Sequence, residues 1–126
     1  MSAYKKIELE FPMNASPKVL FYRLSSPSGL SEWFADDVNV KGNIYTFFWD
    51  DNKQQAELIS QKDGKYARFR WLEEDEESFF EFKITQDDLT GDVSLLITDC
   101  IEEDEADDAS DLWEKQVRVL KRNLGC

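Results

Sequence analysis

Histidine is missing from all 126 positions. That excludes Ser-His and Cys-His catalysis, imidazole-based zinc sites and the commonest general base. Cysteine is scarce. Cys100 lies in an apolar strand pattern and Cys126 is the final residue; neither pairs at metal-ligand spacing, and two thiols make no disulfide framework. They read as one buried small residue and one terminal residue, and neither a metal nor a cofactor is expected. No uninterrupted apolar run is long enough to span a bilayer, and the opening "MSAYKKIELE" lacks the apolar core of a signal peptide. A cytoplasmic location is the resulting expectation. Basic charge is also in short supply: 15 Lys and Arg stand against 27 Asp and Glu, a formal net charge of -12. Such a balance opposes approach to phosphate backbones and anionic membrane surfaces, so nucleic acid is not an expected partner.

Aromatic residues are plentiful, with nine Phe, four Trp and four Tyr. A chain this aromatic folds despite its charge. Its length suits a single domain over residues 1–126, able to bury roughly two-thirds of its unfolded surface.

Residues 4–11, "YKKIELEF", alternate Ile7, Leu9 and Phe11 with Lys6, Glu8 and Glu10, as in a half-buried strand. Ser16-Pro17 and Ser26-Pro27 then supply two cap-plus-proline helix starts. Leu20, Phe21 and Leu24 form the apolar stripe of the first helix; Leu30, Trp33 and Phe34 form that of the second. From there to residue 102 the period falls to two, with punctuation at Lys41-Gly42, Asp50-Asp51-Asn52, Asp63-Gly64, Glu73 to Glu77 and Gly91. An antiparallel meander over 36–41, 43–50, 54–61, 65–72, 78–85 and 92–101 is predicted. Its inward positions are Tyr45, Phe47 and Trp49; Ala56 and Leu58; Ala67, Phe69 and Trp71; Phe80, Phe82 and Ile84; and Val93, Leu95 and Ile97.

Seven of the ten positions from Glu102 to Asp111 are acidic. Beyond them Ala109, Leu112, Trp113, Val117, Leu120 and Leu124 recur at three- and four-residue spacing, which predicts a long amphipathic helix. The acids suit its positive end, and Lys115, Arg118, Lys121 and Arg122 suit its negative end. A calcium loop would need oxygen ligands at fixed offsets around a Gly, and no Gly lies there. Asp50-Asp51 and the run at 73–77 read as solvated turns.

This order of elements, with the stretch "SPKVLFYRLSSPSGLSEWFADDVNVKGNIYTFFWDD", resembles the START-like (SRPBCC) superfamily, and within it the branch named after activators of the heat-shock-protein-90 ATPase. The resemblance implies an α+β helix-grip fold: a curved antiparallel sheet, in β-α-α-β6-α order, wrapped around a long C-terminal helix. It also implies an apolar cavity between helix and sheet that takes lipids, sterols or similar molecules. No catalytic constellation carries over.

The residues expected to contact such a ligand are Trp33, Phe47, Trp49, Phe69, Trp71, Phe80, Phe82, Trp113 and Gln116. Each aromatic taken singly reads first as core filler and only second as a ligand contact, since apolar pockets and apolar cores share a composition. Gln116 reads either as an amide satisfied by protein or as a ligand contact. Arg68 and Arg70, opposite Glu81 and Lys83, read as cross-strand pairs or an anion site. The leading expectation is non-enzymatic binding of a small hydrophobic ligand. The alternative is an acidic protein-interaction module of the chaperone-activator type. An enzyme ranks third, because apolar alternation shows no inward acid; Tyr45 is the only inward group expected to ionise, and it reads as packing. A monomer or weak dimer is expected.

Overall fold

A computed structural model describes residues 3–50, 52–74 and 78–125. The turn at Asp50-Asp51 and the acidic run from Glu73 to Glu77 fall partly outside these residues, and Cys126 wholly so. Strand β1 (Tyr4–Met13) leads to helices α1 (Pro17–Ser25) and α2 (Pro27–Leu30). Strands β2 (Asp37–Lys41), β3 (Ile44–Trp49), β4 (Asn52–Lys62), β5 (Tyr66–Trp71), β6 (Phe79–Gln86) and β7 (Val93–Glu102) follow. A single 3-10 turn (Glu103–Glu105) then enters helix α3 (Ala106–Leu124).

The strands form one antiparallel sheet in the order β1-β7-β6-β5-β4-β3-β2. Every neighbour except the β1/β7 pair is consecutive in sequence, so the meander is as predicted and β1 closes onto the last strand. In β4 the register slips between Leu58 and Ser60. Such a bulge bends a strand and raises its twist, which helps the sheet curl over α3.

The two helix starts use the residues that predicted them. Ser16 Oγ accepts from the Val19 backbone N–H at 3.2 Å. Ser26 does double duty: its Oγ accepts from Gly29 N–H at 2.9 Å and donates to the Tyr22 carbonyl at 2.7 Å, starting α2 while holding the end of α1. Gly29 lets the helices meet, because a methyl group there would run into the Tyr22 carbonyl oxygen and come within 2.7 Å of Arg23 Cα. Helix α2 stops at Leu30, so Trp33 and Phe34 lie on the turn that follows it. The Phe34 and Ala35 N–H groups both return to the Leu30 carbonyl.

The acidic run divides among the end of β7, the 3-10 turn and the first turn of α3, where Asp107 and Asp108 meet the positive end of the helix dipole. No group of side chains among the described residues is arranged to hold a metal ion. Gly125 ends α3 in the left-handed conformation, φ 77°, with Lys121 and Arg122 in the last turn. No helix is long and apolar enough to cross a membrane among the described residues.

The core lies between the concave face of the sheet, α1, α2 and the buried side of α3, which contributes Trp113, Val117 and Leu120. Leu112, expected in that stripe, is 56% exposed: the buried arc of α3 is narrower than the apolar one. Cys100 is half-buried on β7 rather than buried. On the opposite face, Arg68 Nε reaches Glu81 at 3.0 Å and Arg70 Nη2 reaches Glu57 at 3.2 Å, each pair in direct register. Both arginines are therefore in cross-strand pairs.

Candidate functional site

Inward aromatics separate by their depth along the strands. Phe47, Phe69, Phe80 and Phe82 lie within their strands with no exposed surface. Phe69 stacks on Phe80 at 4.9 Å between centroids, and Phe80 meets Phe82 at 5.5 Å, so these rings fill the space under the helix. Trp49 and Trp71 are the last residues of β3 and β5 and only partly buried. There the filled interior gives way to a cleft of about 730 Å³.

Three walls bound this cleft: the Ser31–Asp36 turn, the strand-end pair Trp49 and Trp71, and the face of α3 carrying Ala109, Leu112, Gln116 and Val119. Trp33 and Trp113 also line it, so all four tryptophans of the chain converge on one feature. Of the nine residues expected at a ligand, Trp33, Trp49, Trp71, Trp113 and Gln116 are brought together here, while the four phenylalanines lie behind the wall.

Polar bonds fix the walls. Phe34, held by the turn after α2, accepts at its carbonyl oxygen from Trp49 Nε1 at 3.1 Å and from Gln116 Nε2 at 3.0 Å. One carbonyl thus ties the turn to β3 and to α3, and the amide nitrogen of Gln116 is satisfied by protein. Trp33 Nε1 donates to the Arg23 carbonyl at 2.7 Å. The Phe34 ring joins Phe80 (5.5 Å) and Trp113 (5.6 Å) in a triangle of stacked and tilted rings. Tyr45 packs as expected: its hydroxyl donates to the Ser25 carbonyl at 2.8 Å, and burial pushes its pKa up.

At the floor lies Asp99, which corrects the expectation of no inward acid. It is 6% exposed, and its Oδ2 accepts from Trp113 Nε1 at 2.8 Å. Oδ1 is buried without a hydrogen-bond partner. Beside Asp99 in the sheet stand Ile7 on β1 and Phe80 on β6, neither of which can stabilise a charge. Burial pushes the carboxyl up from 3.8 to about 6, with the Trp113 hydrogen bond pulling the other way. The other ionisable residues lining the cleft, Glu32 and Asp36, are acidic too, and Glu32 pairs with Arg23.

The START-like superfamily domain matches residues 1–126. The chain belongs to the START-like superfamily. Among solved structures this START-like domain is similar to BfR322 from Bacteroides fragilis, determined by NMR, at 39% identity and a TM-score of 0.68, over 98% of this chain and 93% of that one. It is similar to the Aha1 dimer from Colwellia psychrerythraea at 15% identity and a TM-score of 0.80, over 93% of each chain. CalU16 from Micromonospora echinospora aligns at 12% identity and a TM-score of 0.76, over 96% of this chain and 74% of that one. At such low identity the last two likenesses show the fold alone. No curated protein matches the chain.

Asp99 and Phe34 are among the cleft residues of this START-like domain that the sequence did not mark as ligand contacts. Asp99 continues the inward series Val93, Leu95, Ile97, so strand alternation already marked it. Phe34 is adjacent to Trp33, but its place among three elements follows from where α2 ends.

Proposed function

We propose that this START-like domain binds a small hydrophobic molecule in the tryptophan-walled cleft, without chemical conversion. One observation carries the reading: all four tryptophans and the exposed apolar edge of α3 line a single feature of about 730 Å³, within the size range of small-molecule sites. Trp33 and Trp113 are themselves buried, but Trp49, Trp71, Leu112 and Val119 are apolar side chains left partly exposed in one concave place, which is what a ligand would cover. The ligand site is an open cleft along the middle of α3, with the four buried phenylalanines as its support rather than its lining. Gln116 and Trp113 stand on its α3 wall; Trp33, Trp49 and Trp71 face them.

Native mass spectrometry of protein purified gently from its source, with a denatured control, tests this. The expected result is an extra mass of a few hundred daltons that disappears on denaturation. Bare protein, together with failure of added hydrophobic probes to bind, would overturn the reading in favour of the acidic protein-interaction module. That the Colwellia homologue of the same fold is described as a dimer is compatible with weak self-association here.

A further inference from the structure

The walls of the cleft suit almost any flat apolar molecule, but its floor is more selective. Asp99, one of the lining residues, has a buried carboxylate oxygen with no partner. Buried polar atoms are nearly always paired, and an unpaired one costs free energy. Trp113 occupies the other oxygen, so Oδ1 is the atom left for something else.

Charge around the cleft points one way. Its ionisable lining is Glu32, Asp36 and Asp99, and no Lys or Arg lines it among the described residues. An adjoining hollow of about 420 Å³ shares Gln54, Trp71, Ala109 and Leu112 with it and adds Glu74, Glu102, Glu105 and Asp108. Glu32 is paired with Arg23, which leaves Asp36 and Asp99 as the unpaired charges of the lining; they oppose an anionic ligand, whereas a cation would meet them and the negative faces of indole rings.

Resting on the binding function proposed above, we infer that the ligand is a ring-bearing organic cation, an aromatic or polycyclic amine, whose ammonium N–H donates to Asp99 Oδ1 while its rings lie among the tryptophans. The same charges weaken binding of fatty acids and other carboxylates. The carboxyl, pushed up to about 6 by burial, is ionised at neutral pH without a countercharge, and an ammonium group supplies one. Its hydrogen-bond partner Trp113 on α3 and its register neighbours Ile7 on β1 and Phe80 on β6 carry no charge that competes for that role.

The test is calorimetric titration at pH 7.5 or so with four probes of one ring system: naphthylmethylamine, naphthylmethanol, methylnaphthalene and naphthoic acid. The expected order is amine first, ahead of methylnaphthalene by about tenfold or more, as for a charge-assisted hydrogen bond, with naphthoate weakest. In Asp99→Asn the amine's advantage should collapse while methylnaphthalene binding persists, which also reports that the variant is folded. In the wild type, the Trp113 indole N–H resonance should shift further with the amine than with methylnaphthalene. Methylnaphthalene or naphthoate binding as tightly as the amine overturns the inference and leaves the hydrophobic cleft standing. Equal binding of amine and alcohol overturns the requirement for charge, and an amine preference kept in Asp99→Asn overturns the assignment to Asp99. Failure of all four probes overturns both this inference and the binding reading beneath it.

Discussion

Asp99 is held where a carboxylate is costly. Its folded-state pKa, about 6, lies above the ordinary 3.8, so the native protein binds this proton more tightly than the unfolded chain. The stability linked to that proton is fully present below about pH 4 and is lost as pH rises through about 6. A displacement of that size corresponds to a loss on the order of 2–3 kcal/mol. Asp99→Asn cannot titrate there and keeps an oxygen for Trp113 Nε1. Urea unfolding of both proteins at pH 4, 5, 6 and 7 should show wild type falling relative to the variant by about that amount. A flat difference would place Asp99 in contact with water or a countercharge.

Among the elements, α1 and α2 meet at a tightly built junction. Ser26 bonds to both helices, and Gly29 has no room for a side chain. Gly29→Ala, which would favour an ordinary exposed helix, should here destabilise by roughly 1–3 kcal/mol through forced separation of the helices. Thermal or urea unfolding is the measurement; a neutral or stabilising effect would mean that the helices part easily. The junction was legible in sequence because Ser-Pro pairs carry cap chemistry, and the strands because alternation with period two is a direct image of the pleat. Three features were not legible. Alternation says which face a residue takes but not how deep along the strand it lies, so Phe47 and Trp49 looked equivalent although one is core and the other cleft wall. The apolar stripe of α3 did not show that only its Trp113–Val117–Leu120 side is covered, leaving Leu112 at the rim. Asp99 was readable as an inward position, but an inward acid breaks the apolar pattern by which inward faces are recognised.

For the molecule as a whole, the sheet has two free edges, β1 and β2. Strand β2 is five residues long with exposed Asp37 and Lys41 at its ends, and β1 exposes Lys5, Lys6, Glu8 and Glu10. Short or charged edges resist pairing with a second copy, and a net charge of -12 adds mutual repulsion. Light scattering at micromolar concentration and moderate salt should return the monomer mass, with weak association only at much higher concentration; a concentration-independent dimer would refute this.

Four indoles gathered at one end also determine how the molecule responds to light. Emission excited in the tryptophan band originates entirely from around this cleft and carries no direct signal from the far edge of the sheet or the tip of the β6–β7 loop. An unfolding curve followed by emission is therefore local, whereas one followed by backbone circular dichroism is global. Their coincidence would show that the cleft and the sheet melt as one cooperative unit, and their separation would show that the cleft opens first.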